Sequence, residues 1–254
     1  MNKGEKAEIF LKAMLLRLKD SNETHPILGK IIHLSDDTNL ASLQWKSECQ
    51  KFFDSKEFEK LQKYLGLKKS SNQSKADVTI NGINYSIKLQ DERPSIINHT
   101  TRPGFERICN FLGIKIDTLD KIITEYWKKR SDGIITEDIG NNDRRSPFLS
   151  HKEYLKPIIN YFVFDGTGSR DSNYVAKKVL VIDYKSMQNG IRIIDKNQYF
   201  DDVWPNLVFS LRGGGKSKRG MPKDYPNCKN SASIGMWTNN TSDGYKGALS
   251  VRVG

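Results

Sequence analysis

The chain has 254 residues and a formal net charge of +11, with 28% charged and 37% hydrophobic residues. This length is sufficient for one substantial hydrophobic core, and the composition argues against a disordered chain and against a membrane-embedded one. The excess of lysine and arginine favours a polyanionic partner, above all nucleic acid, because neutralising phosphates releases counterions. A solvated basic surface that binds no ligand is the alternative.

The cysteines and the start of the chain argue against a disulfide-rich, zinc-binding, secreted or membrane protein. Cys49, Cys109 and Cys228 are widely separated and form neither a zinc-binding spacing nor a disulfide framework, so we expect each to be a small core residue. The first six residues lack the apolar run of a signal peptide, and no apolar stretch reaches transmembrane length. We therefore expect a cytoplasmic protein without membrane contact.

The first half of the chain predicts helices on either side of a short β-hairpin. Apolar residues at spacings of three and four predict a helix from Glu5 to about Leu18. Residues 39–65 predict one or two more helices with an aromatic stripe that belongs in a core. A polar linker, residues 68–75, leads to the hairpin, and a further helix is predicted over residues 118–129.

From Tyr161 onward the pattern changes to short strands. The predicted strands are Tyr161–Phe164, Val179–Tyr184, Ile191–Ile194, Leu207–Leu211 and Ala248–Val253. We expect a mixed α+β fold with a central mixed sheet flanked by helices. The prediction is one domain over residues 1–254, with a helical part (1–70), a catalytic core (75–195) and a basic, β-rich, DNA-contacting part (196–254).

The segment from Lys75 to Gln90 is the most informative part of the sequence. Asn81-Gly82 favours a type I′ turn between two strands, because both residues tolerate positive φ. With a two-residue loop, Ile80 pairs with Ile83 and Asp77 lies opposite Ser86. Side chains alternate between the faces of a strand. The apolar face then carries Val78, Ile80, Ile83, Tyr85 and Ile87, and the polar face carries Asp77, Thr79, Asn84, Ser86, Lys88 and Gln90.

The polar face has the residues of a metal-dependent phosphodiesterase. Hydrolysis of a phosphodiester requires a metal ion held by oxygen atoms, an activated water and positive charge near the phosphate. Asp77 supplies the hard oxygen that Mg²⁺ prefers, and the backbone carbonyl of Ile87 is a second candidate ligand. Lys88 would orient the water or stabilise the transition state. The alternative is an ordinary surface hairpin that bears an aspartate and a lysine.

One residue departs from the usual pattern of such sites. Ser86 occupies the position where a second acid is expected, and serine is a poor ligand for a metal ion. The second carboxylate should therefore come from elsewhere. Glu8 is the best candidate and Glu5 the next, because a polar acid on the first helix can lie over the hairpin. We expect Glu8 to be a partly exposed acid.

Three further blocks of the sequence are informative: Asn2–Ile9, Tyr85–Gln90, which contains Ser86-Ile87-Lys88, and Ser95–Thr100. These blocks resemble type II restriction endonucleases of the HpaII-like group, within the PD-(D/E)xK nucleases, which carry the same Ser-Ile-Lys version of the catalytic strand. The resemblance implies magnesium-dependent double-strand cleavage at a short palindrome. It implies catalytic roles for Asp77 and Lys88, a helper acid at Glu8, a neighbouring role for Gln90 and a position near DNA for Asn98.

Two rival sites and one basic segment also stand out. Asp183-Tyr184-Lys185 has the D-x-K spacing, with Asp165 upstream as a first acid. Gly213–Ser217 imitates the end of a phosphate-binding loop, but Ser210 replaces its first glycine. The glycine-rich segment Arg212–Lys229 carries six basic residues. It is our first candidate for contacts with DNA phosphates or base edges.

These observations lead to one assignment. The catalytic residues are Asp77, Lys88, Glu8, Ser86 and Gln90; the metal ligands are Asp77, Ile87 and Glu8; the DNA contacts are Asn98, Arg212, Lys216, Lys218 and Arg219. We expect a Mg²⁺-dependent type II restriction endonuclease that acts on double-stranded DNA as a homodimer, since a two-fold protein matches a two-fold site. A cognate methyltransferase should be encoded nearby. The alternatives are a repair or RNA-processing nuclease of the same fold and a non-catalytic DNA-binding protein.

Overall fold

The computed structural model describes residues 3–35, 57–68, 70, 74–90, 95–183, 190–213, 237 and 247–254. Its α-helices are α1 (Lys3–Asp20), α2 (Phe58–Leu65), α3 (Arg102–Leu112), α4 (Asp117–Ser131), α5 (Lys152–Asn160) and α6 (Lys196–Val203). Its first strands are β1 (Thr24–His25), β2 (Gly29–Lys30), β3 (Leu34–Ser35), β4 (Val78–Ile80), β5 (Ile83–Gln90) and β6 (Ser95–Thr101). The later strands are β7 (Ile139–Gly140), β8 (Lys178–Asp183), β9 (Ile191–Asp195), β10 (Leu207–Gly213) and β11 (Gly247–Val253).

The chain divides into two compact units that interleave along the sequence. Unit 1 consists of Met1–Asp91, Val163–Asp165 and Asp171–Tyr199, and unit 2 consists of Glu92–Phe162, Gly166–Arg170 and Phe200–Gly254. Residues 92–162 thus belong to unit 2, although the predicted catalytic core 75–195 includes them. The single-domain assignment stays a prediction.

Unit 1 is built on a mixed sheet. Its strand order is β3-β4-β5-β8-β9, in which β5 and β8 run parallel and the other neighbours run antiparallel. The central strands are rich in Val, Ile and Leu, as expected where a sheet is covered by other elements. The prediction of a mixed α/β fold with a mixed sheet is confirmed at this level.

Helix α1 supplies a large share of the core of unit 1. It contacts β5, β3 and α2. Every residue from Ala7 to Leu16 is buried. A helix buried on all sides should be apolar all round. Glu8 and Lys12 are the exceptions, with 9% and 2% exposure, and they form an ion pair with each other.

Unit 2 combines an antiparallel sheet with helices α3, α4 and α5. Its strand order is β6-β11-β10-β7, with a bulge between Val251 and Arg252. Aromatic rings are prominent in its core: Phe148 stacks on Phe209 with ring centroids 4.1 Å apart, and Phe105 meets Phe162 edge-on at 5.3 Å. Stacked and edge-to-face pairs are the favoured arrangements of aromatic quadrupoles.

Most predicted elements within the described residues are confirmed, with one clear error. The helix at Glu5–Leu18 is α1, the helix over 118–129 is α4, and the four later strands are β8 to β11. The predicted strand Tyr161–Phe164 is wrong: the chain continues from α5 as a wider π-helical turn, Tyr161–Asp165. All four of its apolar side chains are buried. A short apolar run fits a buried helix as well as a buried strand.

Candidate active site

The hairpin has the geometry that the sequence predicts. Asn81 and Gly82 have φ of 49° and 78°, as a type I′ turn requires. Ile80 pairs with Ile83 and Val78 with Tyr85, which confirms the predicted register. The predicted apolar face lies in or against the core of unit 1, because a period of two places every second side chain on the same side.

Asp77 lies just before β4 and is held by hydrogen bonds to its carboxylate. The Ile87 backbone N–H donates to Oδ2 at 2.6 Å and the Ser86 hydroxyl donates to the same oxygen at 3.3 Å. The Ser70 hydroxyl donates to Oδ1 at 2.6 Å. Ser86 is therefore not a replacement ligand for an acid. It is a buried hydroxyl that orients the acid across the hairpin.

From Ser86 onward, β5 is no longer paired with β4. Strand β4 begins at Val78, opposite Tyr85, so β5 extends past it from Ser86 onward. Within a strand, the N–H and C=O of one residue face the same neighbour. Because the Ile87 N–H donates to Asp77, the Ile87 carbonyl faces the same edge as the Asp77 carboxylate. The structure thus brings these two predicted metal ligands together.

Ser70 links the hairpin to helix α1. Its backbone N–H donates to Oε1 of Glu8 at 2.6 Å, while its hydroxyl donates to Asp77. Two carboxylates are therefore joined through one serine. Glu8, and not Glu5 one turn earlier, makes this contact, which supports the first of the two predicted helper acids.

Lys12 holds Glu8 from within the same helix. Its ammonium lies 3.0 Å from Oε1 of Glu8, four residues away, and donates to the carbonyl of Lys68 at 3.0 Å. The Glu8 side chain is only 11% exposed. The expectation that Glu8 is a partly exposed acid is wrong. It tolerates burial because a cation and a backbone N–H compensate its charge.

Lys88 and Lys75 bring positive charge to the same place. Lys88 follows Ser86 on the polar face of β5. Burial of Lys75 and, secondarily, the positive charge of Lys88 lower the pKa of the Lys75 ammonium to about 8, and the Asp77 carboxylate opposes this shift. Burial is the main cause of the shift, and both Lys88 and Asp77 are close enough to Lys75 to act on its charge.

Gln90 ends β5 on the polar face and is exposed. Its side-chain oxygen accepts a hydrogen bond from Nη2 of Arg192 at 2.7 Å. Gln90 is two residues beyond Lys88 on the same face of β5, and among the described residues no hydrogen bond joins it to Asp77. Its role near the site stays a prediction.

The predicted DNA contacts belong to the range of unit 2. Asn98 lies on β6 with 9% exposure, and its Nδ2 has no hydrogen-bond partner among the described residues. Arg212 lies in β10. Lys216, Lys218 and Arg219 lie outside the described residues. The role of these five residues at DNA stays a prediction.

The two acids of the alternative site, Asp165 and Asp183, have contacts different from those of Asp77. Both carboxylate oxygens of Asp165 accept hydrogen bonds from Lys196, at 2.7 and 2.8 Å. Asp183 ends β8 beside Gln90 in the register, and Lys185 lies outside the described residues.

Three functional candidates escape sequence reasoning. They are Ser70, Lys12 and Lys75. Ser70 lies in a polar stretch with nothing to distinguish it, and its contacts with Glu8 and Asp77 span 62 and 7 residues. Lys12 could have been found from the sequence, because a lysine in the middle of an apolar helix, four residues after a glutamate, predicts a buried ion pair.

Comparisons with known proteins identify no relative: no protein-family model, curated protein or solved structure matches the chain. Over the described ranges, no group of three or more His, Cys, Asp or Glu side chains is arranged to hold a metal ion. Within the same ranges, no helix combines the length and the apolar character of a membrane span. The geometry of unit 1 therefore carries the functional inference.

Proposed function

We propose that the chain is a magnesium-dependent endonuclease of the PD-(D/E)xK type that cleaves double-stranded DNA as a type II restriction enzyme. One observation carries the proposal. The Asp77 carboxylate and the Ile87 backbone meet where β5 extends past β4, with Glu8 joined to Asp77 through Ser70. The net charge of +11 supports a polyanionic substrate.

The residues at this edge fit a hard divalent cation. Carboxylate and carbonyl oxygens are the ligands that Mg²⁺ prefers, and it commonly uses one or two carboxylates and keeps several waters. Asp77, the Ile87 carbonyl and Glu8 would hold the ion. When bound, the ion would supply Lewis acidity and an activated water for attack on phosphorus.

The protein's own groups have distinct tasks in this proposal. Ser86 and the Ile87 N–H fix the orientation of Asp77, so that little reorganisation is needed during the reaction. Lys12 and Ser70 do the same for Glu8. Lys88 is a compact charge on the polar face of β5, suited to stabilise the negative charge that develops on the phosphate.

The proposal also covers the oligomeric state, the cellular location and the DNA contacts of the enzyme. A homodimer presents two such sites to the two strands of a palindrome. The enzyme would act in the cytoplasm, on DNA that lacks the host's modification, and a methyltransferase encoded nearby would protect the host. The basic segment Arg212–Lys229 and Asn98 would contact the DNA.

Digestion of phage DNA tests the function directly. The purified chain is incubated with the DNA and Mg²⁺, beside three controls: a chelator, Asp77→Asn, and Asp195→Asn, which changes an acid of the same sheet outside the site. Discrete bands from the unaltered chain and Asp195→Asn, absent with the chelator and Asp77→Asn, support the proposal. A smear, or cleavage of RNA, favours the repair or processing nuclease. Binding without cleavage favours the non-catalytic protein. If the chain neither binds nor cleaves the DNA, the proposal is overturned.

A further inference from the structure

Arg192 lies on the same face of the sheet as Lys88. In the strand registers, Lys88 is opposite Val181 in β8, and Val181 is opposite Arg192 in β9. Residues in register on neighbouring strands project from the same face. Two strand spacings separate Lys88 from Arg192, or about 10 Å between their backbones. The small apolar side chain of Val181 lies between them.

Gln90 orients the Arg192 guanidinium without neutralising it. The 2.7 Å contact joins Nη2 of Arg192 to the amide oxygen of Gln90, which carries no charge. A guanidinium has five N–H donors in a planar fork. Arg192 is exposed, and in the described part of the chain no carboxylate lies within ion-pair distance of it.

Other arginines of the chain are used differently. Arg102, Arg145 and Arg252 each contact a carboxylate, at 2.6 to 2.8 Å. The charge of each is therefore offset within the fold. Arg192 keeps its full charge beside a lysine on a face that also carries Asp77, and a planar fork of donors matches the oxygens of a phosphate.

We propose that Arg192, oriented by Gln90, binds a backbone phosphate of the DNA next to the phosphate at Lys88. The inference rests on the proposed function, because it requires DNA on this face. The contact is independent of base sequence, since a phosphate carries no sequence information. The bound phosphate would lie over Val181, between Lys88 and Arg192 in the register.

Salt dependence of binding tests the inference. The affinity of the full chain is measured without divalent metal over a salt series, on a duplex that contains the cleaved sequence and on a random duplex. Arg192→Gln should weaken binding equally on both duplexes and reduce the slope of log affinity against log salt by about 0.9, the value for one phosphate contact. Arg192→Lys should keep the slope, because the charge remains.

Lys178→Gln is the matched control, because Lys178 is in the same sheet but in register with Tyr85 and Asp195, on the opposite face. It should change neither slope nor affinity. An unchanged slope for Arg192→Gln overturns the inference, as does a weakening confined to the cleaved sequence or an equal weakening in Lys178→Gln. If the unaltered protein cleaves DNA while Arg192→Gln binds normally, only this inference fails. If the unaltered protein binds neither duplex, the proposed function fails with it.

Discussion

Two acids, Asp120 in unit 2 and Asp77 in unit 1, have different partners. In unit 2, the Arg102 guanidinium forms a forked contact with Asp120, which also accepts the Trp237 N–H at 2.8 Å. In unit 1, Asp77 is held by hydroxyls and a backbone N–H, and Lys75 and Lys88 lie near it.

The contrast is between Asp120, whose ion pair with Arg102 stabilises the fold, and Asp77, whose negative charge remains available to bind a cation. A carboxylate that binds an arginine has its charge offset inside the protein, and the hydrogen bond to Asp120 accordingly raises the pKa of Arg102. A carboxylate held by neutral donors is fixed in place but keeps its charge for a cation. The predictions below test whether these two acids differ in this way.

Asp77→Ala should have the largest effect. We expect cleavage to be abolished, because the principal metal ligand is removed, while DNA binding stays near normal or becomes tighter as a negative charge disappears. Asp77→Asn keeps the shape of the side chain and should behave alike. Digestion and a binding titration measure the two quantities, and full activity of Asp77→Ala at ordinary Mg²⁺ would refute the site.

Lys88→Ala should also remove cleavage. Lys88→Arg should restore little of it, because a bulky planar guanidinium replaces a compact charge. The same digestion assay gives both rates. Asp183→Ala and Lys185→Ala are the comparison, and both should retain cleavage. If they are inactive while the Lys88 variants cut DNA, the rival site is the correct one.

Glu8→Gln should slow cleavage strongly and also destabilise unit 1. The buried Lys12 ammonium loses its ionised partner, and breaking a buried pair costs about 3 kcal/mol. Urea unfolding measures the cost, and Lys12→Met in the Glu8→Gln background should recover part of it. Glu5→Gln is the control: it should leave the rate unchanged and cost much less stability than Glu8→Gln, about 0.3–1 kcal/mol for an acid in the first helical turn. Wild-type rates for both glutamate variants would show that no acid of α1 takes part.

Asp120→Asn should lower stability without a specific effect on the site. Arg102 and the Trp237 N–H lose a charged acceptor, which costs about 2–3 kcal/mol. Denaturant unfolding gives the value. Asp117→Asn, an exposed acid in the same turn of α4, is the matched control and should cost well under half as much. Absence of cleavage by stable, folded Asp120→Asn would contradict the division of roles.

The smallest effect concerns the basic segment outside the described residues. Replacing Lys216, Lys218 and Arg219 together by alanine should flatten the salt dependence of DNA binding, by about 0.9 for each phosphate that the variant no longer binds. Should one of them read a guanine edge, its single replacement would cost about 1–3 kcal/mol on the cleaved sequence alone. Affinities across a salt series on both duplexes decide this. Unchanged values would show that DNA is bound elsewhere.

Local patterns account for what could be predicted of the fold. The hairpin, its register and its core face follow from Asn81-Gly82 and the alternation around it, because turn chemistry and side-chain period act over a few residues. The error at Tyr161–Phe164 has the opposite cause. An apolar run without polar positions has no period to distinguish a buried helix from a strand.

By itself, the sequence determined a polar hairpin face on which Asp77, Ser86 and Lys88 follow one another, since strand geometry leaves that face no alternative. Only the tertiary structure decided which groups join it. Ser70 reaches Glu8 across 62 residues of chain, and Arg192 reaches Gln90 across 102. Such contacts depend on how α1 packs against the sheet and on how β9 joins it, and no periodicity within a single segment encodes that arrangement.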